Sequence, residues 1–132
     1  MDTKERSDCG EITSQTVIVL PMIILVLFMA IQSALYFHIS HVAGAAAAEG
    51  AAAASAKSLT TSQALQRGRD RANALIQETG TALSGATMVL VSNAEVRVTV
   101  STKVPRVVPF FPSTVSRTVV EPRERFIAEN LR

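Results

Sequence analysis

The side chains whose type and spacing could support chemistry are two histidines, a short run of alternating charges and one cysteine. His38 and His41 lie three residues apart, so one helix face could present both to a metal ion. Glu49 follows two turns later and completes no site, and histidines that are polar residues at a membrane boundary are the favoured interpretation. Glu121 and Glu124 alternate with arginines, a pattern typical of a solvated ion-pair cluster. None of these groups predicts catalysis.

Composition and motifs exclude several classes of function. The chain has 132 residues, a net charge of +2, 5% aromatic residues and no Trp, which argues against nucleic-acid binding. A single cysteine, Cys9, excludes an internal disulfide and a Cys-based zinc site. The sequence has no glycine-rich phosphate loop and no motif that pairs a nucleophile with a base. We therefore expect no enzyme activity, no metal and no cofactor.

One apolar segment dominates the sequence. Every residue from 17 to 31 is apolar, and the run resumes after Gln32 and Ser33 to reach residue 37. As a helix, residues 17–37 would measure about 30 Å, the thickness of a bilayer's hydrocarbon core. No Asp, Glu, Lys or Arg occurs between Glu11 and Glu49. A membrane span is therefore favoured over a buried core helix, for which so short a chain offers too little apolar surface.

The charges beside this span predict its orientation. Lys4 and Arg6 precede it, and the next basic residue is Lys57, so the N-terminus is expected in the cytoplasm and the rest outside. A cleaved secretory signal is the competing interpretation, because residues 43–45 form a small-x-small site. The apolar core of such a signal is normally only about 7–15 residues long. A mature N-terminus near Ala46 would support that alternative.

The segment after the span is rich in alanine, with ten in residues 41–56. Alanine is the best helix former, so the membrane helix is expected to continue as one rod over residues 11–57. Gly44 with Ala48, and Gly50 with Ala54, have a spacing that lets another helix approach closely. A low-complexity spacer is the alternative. We favour a lateral packing surface, because a rod of about 65 Å is more than a tether needs.

Residues 58–132 predict a small α+β module. Residues 58–62 are rich in helix-capping types, and an amphipathic helix is expected over residues 63–79, ending at Gly80. Its apolar face would comprise Leu65, Ala72, Leu75 and Ile76. The arginines at 67, 69 and 71 indicate a solvated face, with an anionic partner or lipid head groups as the alternative.

The period of the apolar residues changes in the last third of the chain. Strands are expected over residues 88–91, at the alternating valines 96, 98 and 100, and over residues 114–120. Prolines at 105, 109 and 112 mark the long connection before the third strand. Residues 123–132 are expected to form a helical turn. The fold class is thus a membrane-anchored α+β protein with a long N-terminal helix, a shorter helix and a small antiparallel sheet.

Residues 8–54 resemble the TadE-like proteins of tight-adherence (Flp) pilus systems, which are similar to type IV prepilins. Three features carry the resemblance: Gly10 before the helix, Val-Leu-Pro ending at Pro21, and the Ala-rich A-A-x-E-G-A around Glu49. The sequence VRVTVSTKVP and its proline-rich continuation also look like the variable outer module of this family.

The resemblance implies a pilin-like fold and a leader of residues 1–10. A prepilin peptidase would cut after Gly10 on the cytoplasmic face and leave Glu11 as the new N-terminus. The implied partners are that peptidase, membrane lipid, other pilin-like subunits and an inner-membrane assembly platform, in a hetero-oligomer or filament. The outer module would bind assembly partners or contribute to adhesion.

One position departs from the family's pattern. The fifth residue after the glycine is usually Glu, which can neutralise the terminal amine of a neighbouring subunit, whereas here it is Gln15. An amide can accept a hydrogen bond but supplies no charge. Gln15 therefore indicates a minor subunit at a tip or in an initiating complex. A signal-anchored envelope protein with a ligand-binding module, outside any filament, stays open as the alternative function.

Overall fold

A computed structural model describes residues 5–56 and 58–123, with side chains described from residue 16 onward. Two helices, α1 (Glu5–Ser55) and α2 (Thr61–Glu78), precede three strands, β1 (Met88–Val91), β2 (Glu95–Lys103) and β3 (Thr114–Pro122). This arrangement of a long apolar helix, a second helix and a small sheet confirms the expected fold class. The helical turn expected in residues 123–132 lies almost entirely outside the described residues.

The long helix α1 has two halves with different surroundings. It runs unbroken for 51 residues, with Pro21 inside it. From Val17 to Ile31 the helix is exposed all round, whereas Gln32 is fully buried and a buried face continues from there to Ala54. The stretch Thr16–Ser55 is long and apolar enough to cross a membrane, and its most apolar window is only 6% buried. The lower half thus fits a single-pass membrane anchor.

Helix α2 begins and ends where its sequence dictates. Thr60 forms a capping box with Gln63, in which each side chain accepts a hydrogen bond from the other residue's backbone N–H. At the other end Gly80 has a φ of +66°, and the N–H of Thr81 donates to the carbonyl of Ile76. This left-handed turn satisfies the last carbonyls of the helix. The expected bounds of 63–79 are therefore correct to within two residues.

The three strands form one antiparallel sheet in the order β1-β2-β3. On the central strand the side chains of Val96, Val98 and Val100 are fully buried and face the helices. The outer face carries a hydroxyl ladder, in which Thr99 bonds Thr118 at 2.8 Å and Ser101 bonds Ser116 at 2.8 Å. Alternation along the strands thus gives one buried apolar face and one exposed face, on which the hydroxyls lie beside Met88, Leu90 and Val120.

The core is shared between the upper half of α1 and the module that follows it. Five alanines of α1 are completely buried together with side chains of α2 and β2, and these alanines are Ala43, Ala46, Ala47, Ala51 and Ala54. Helix α2 contributes Ala64, Ala72 and Ile76, whereas Leu65 and Leu75 are only partly buried. The boundary expected from the sequence at residue 58, between the long helix and the module, therefore divides one continuous core.

Glycines make the closest approach between the two helices. A Cβ atom on Gly50 would lie 2.7 Å from the carbonyl oxygen of Gly68, and one on Gly68 would lie 3.1 Å from the Cβ of Ala54. Only residues without a side chain allow the two backbones to touch in this way. A glycine inside α2 lowers the propensity of that segment to form a helix, but the close crossing of the two helices requires Gly68.

Candidate functional site

A long loop returns from the sheet to the apolar half of α1. Residues 104–113 connect β2 to β3, and Gln32 of α1 fixes their backbone. The Gln32 side chain donates to the carbonyl of Pro105 at 3.1 Å. Its Oε1 accepts from the N–H groups of Val107 at 2.7 Å and Val108 at 3.2 Å. One buried amide thus holds the first half of this loop against the helix.

Aromatic rings extend this contact beyond Gln32. The ring of Phe111 packs edge-on against Tyr36, with their centroids 6.4 Å apart, and Tyr36 contacts Phe37 in the same way at 6.2 Å. Phe110, by contrast, is 93% exposed. Tyr36, expected as an interfacial residue, is thus partly covered by the module, while Phe37 stays exposed.

An apolar groove of about 700 Å³ lies between the loop and the helix. Its helix side runs from Leu20 and Pro21 to Met29, and its loop side runs from Val107 to Phe111. Pro21 therefore stands at the end of this groove farthest from Gln32. The lining is almost entirely hydrocarbon, so the groove has the character of an apolar contact surface and offers no chemistry.

Polar contacts fasten the module to α1 on two further sides. The guanidinium of Arg117 on β3 donates from Nε to the Ser40 hydroxyl at 2.7 Å, and its NH2 group donates to the same oxygen. Arg71 on α2 bonds Glu49 at 2.6 Å. Both partners of this ion pair are about half exposed, so it contributes at most about 1 kcal/mol.

The upper half of α1 keeps one stripe that its own module does not cover. We call this stripe the free seam, and its exposed members are Ala34, Phe37, His38, His41, Ala45 and Ala52. These positions follow the helical period and lie opposite the buried alanine face. The free seam continues the exposed surface of the apolar half. Half of its side chains are alanines, and at those positions a second helix can approach closely.

The four residues expected to pack against neighbouring helices are divided between two faces. Gly50 is buried and Ala54 is fully buried, and both lie against α2 of the same chain. Gly44 and Ala48 are half-exposed beside the free seam, and a Cβ on Gly44 would meet nothing within 4 Å. Helix α2 of the same chain thus covers the pair Gly50 and Ala54. The pair Gly44 and Ala48 stays accessible to another helix.

The residues expected at the processing site lie near the start of α1. Gly10, Glu11 and Gln15 all have helical backbone, and their side chains are outside the described residues. A protease cleft binds extended backbone, so cutting after Gly10 would require the first turns of this helix to unwind.

The two histidines do not form a site. His38 and His41 are both exposed on the free seam. Among the side chains that the structure describes, in residues 16–56 and 58–123, no three of His, Cys, Asp or Glu are placed to hold a metal ion. Of the charged run near the C-terminus, Arg123 donates to the carbonyl of Leu59 at 2.8 Å and so links β3 to the start of α2.

Sequence reasoning missed Gln32 and Gly68 as structural residues. Gln32 appears in the sequence only as an interruption of the apolar run, and its partners are more than seventy positions away. A polar side chain in an otherwise apolar segment was the available signal, together with the three prolines of the distant loop. Gly68 gave a weaker signal, as a glycine inside an amphipathic helix.

Comparison with known proteins assigns the N-terminal segment. The family model described as TadE-like protein matches residues 10–52, about a third of the chain. No curated protein and no solved structure matches. The matched segment contains the apolar half of α1 and nearly all of its alanine-rich half. Residues 10–52 are thus similar to the TadE-like family, the family that the sequence resembles.

Proposed function

We propose that this chain is a non-enzymatic, prepilin-like component of a tight-adherence (Flp) pilus or a related secretion apparatus. The observation that carries the proposal is the free seam of α1, an uncovered helix stripe that continues directly into an exposed apolar span. The same residues form the segment that matches the TadE-like family. A helix of this kind assembles by lying beside similar helices, because small side chains allow close contact.

The proposed topology places residues 11–57 as a membrane helix with an alanine-rich extension, after a cytoplasmic leader of residues 1–10. Residues 58–132 form the extracytoplasmic module. Basic residues before the span and none until Lys57 support this orientation in the inner membrane. The module's packing on upper α1 supports placing the module and the alanine-rich helix together on one side of the bilayer.

The proposed partners follow from the family. A prepilin peptidase cuts after Gly10 and leaves Glu11 as the N-terminus, and an inner-membrane assembly platform then joins the chain to other pilin-like subunits. Gln15 supports a minor or tip position, because an uncharged amide does not neutralise a neighbour's terminal amine.

Substituting Gly10 tests this function. In cells that contain the peptidase and the assembly platform, Gly10→Arg is expected to abolish processing, since the cleft accepts only a small residue there. The measurement is mass spectrometry of the protein's N-terminus, together with recovery of the chain in the sheared pilus fraction. Unprocessed Gly10→Arg protein is expected to stay in the membrane fraction.

Thr3→Arg is the matched control, because it adds the same charge to the leader away from the cutting site. It should be processed normally. An identical mature N-terminus in the wild type and in Gly10→Arg would contradict the proposal. A wild-type protein that keeps its leader in these cells and never reaches the pilus fraction would favour a signal-anchored envelope protein.

A further inference from the structure

The loop of residues 104–113 has properties that its place in a hairpin does not require. It joins two antiparallel strands with ten residues, whereas about two to five are usual. Its sequence, VPRVVPFFPS, contains three of the chain's five prolines and two of its five phenylalanines. Phe110 is 93% exposed, and Val107 is 45% exposed. Loops in water rarely present so much apolar surface.

Four of the seven N–H groups of this loop have partners within the protein. Three of its ten residues are prolines, which carry no N–H to satisfy. Gln32 bonds two further N–H groups and one carbonyl. The N–H of Val104 donates to the carbonyl of Ser113, and that of Phe111 donates to the carbonyl of Val108. Irregular backbone tolerates lipid only where such internal partners exist.

The position of the loop along α1 places it at the edge of the apolar span. The 20 residues between Glu11 and Gln32 contain no Asp, Glu, Lys or Arg and would measure about 30 Å as a helix, which matches the hydrocarbon core. Gln32 then lies at the outer boundary of the core. The groove lies on the span side of Gln32 and extends from Met29, about 4–5 Å further in, to Leu20, about 18 Å further in.

We propose that residues 104–113 are a membrane-penetrating loop that inserts Phe110 among the acyl chains of the outer leaflet. The lipid fills the groove beside α1, because the groove opens directly onto a helix surface that is itself exposed and apolar. Lys103 and Arg106 are exposed at the start of the loop, and such cations bind anionic head groups at the bilayer surface. The inference rests on the membrane anchoring of the proposed function.

Depth-dependent quenching tests the insertion. The full chain with Cys9→Ser is reconstituted into phosphatidylcholine–phosphatidylglycerol vesicles, with an environment-sensitive fluorophore on Phe110→Cys. Two further labelled chains are matched controls. Val26→Cys reports the span, where the side chain is 65% exposed, and Leu90→Cys reports the outer face of β1, where it is 59% exposed.

Insertion predicts a blue-shifted emission at position 110 and at least twofold stronger quenching by nitroxide lipids than at position 90. All three substitutions replace exposed side chains, so the fold is expected to persist in each.

The controls separate failure of the loop from failure of the anchor. If position 26 is quenched while position 110 behaves as position 90, the loop inference is wrong and the anchor stands. If neither position 26 nor position 110 is quenched, the anchor fails and the loop inference fails with it. A label at position 110 that is shielded from water but unquenched by lipid, with a signal that depends on the protein-to-lipid ratio, would assign the groove to a second copy and overturn the inference.

Discussion

Gln32 shows how one polar residue determines what an apolar helix does. Its amide is fully buried where the apolar span meets the alanine-rich half of α1. It satisfies three backbone groups of a loop that is distant in sequence. An uncompensated amide in such a place would be costly. Because every polar atom of the side chain is used, the same residue ends the freely exposed surface of the helix and positions the loop beside it.

Replacing Gln32 is therefore expected to destabilise the protein. Gln32→Leu leaves the N–H groups of Val107 and Val108 without their acceptor and should lower the free energy of unfolding by about 2–4 kcal/mol. The measurement is denaturant unfolding in detergent micelles, followed by circular dichroism. Ser33→Ala is the control, since Ser33 bonds only the Met29 carbonyl of its own helix and should change the stability by less than about 0.5 kcal/mol. Equal effects of the two substitutions would contradict the anchoring role of Gln32.

The helices make contact through glycine and alanine, so size and not hydrophobicity determines which face is buried. Helix α1 is apolar on all sides, yet only the face with Gly50 and Ala54 meets α2. Small side chains bring the backbones close enough for many weak contacts. The opposite face, the free seam, carries alanines together with Phe37, His38 and His41, and it stays accessible.

Two glycines of α1 should respond in opposite directions to the same substitution. Gly50→Ala places a Cβ 2.7 Å from a backbone oxygen of α2, which cannot move cheaply, and should cost about 1–3 kcal/mol of stability. Gly44→Ala meets open space and should stabilise the helix by about 0.5–1 kcal/mol. Thermal unfolding of both variants gives the comparison. Shifts of the same sign would show that the two helices do not cross at Gly50.

At the scale of the whole molecule, the described residues form a long helix, α1, and a small α+β module that packs against one side of its upper half. The core extends across both segments, and Arg117 and Arg71 hold the sheet and α2 to the helix. Because the module covers one side of upper α1, only the uncovered side of that part of the helix is accessible to other subunits. In the proposed filament, neighbouring subunits therefore meet this chain at the free seam and not at the sheet.

Photo-crosslinking in assembling cells tests that direction. With a benzoylphenylalanine in place of Ala45, we expect covalent adducts with other pilin-like subunits, identified by mass spectrometry and absent when Gly10→Arg blocks processing. Asn93, in the exposed turn between β1 and β2, is the matched control and should give few such adducts. Adducts from position 93 alone would place the assembly surface on the sheet and contradict the proposed packing.

The sequence by itself determined the elements of this protein, because each has a local signal. An uncharged apolar run predicts a long helix, Thr60 and Gly80 bound α2, and alternating valines predict β2, and the structure contains each of these elements. These signals depend on residues a few positions apart, whose backbone preferences and side-chain periods act before any distant contact forms.

The tertiary structure alone decided which faces meet. The sequence does not say that Gly50 crosses Gly68, or that Gln32 binds backbone 73 to 76 positions away. Such pairings depend on how two complete surfaces fit, and α1 has small side chains on more than one of its sides. Shape complementarity with α2 and the sheet selects one of them. That selection leaves the free seam open and brings residues 104–113 beside the membrane span.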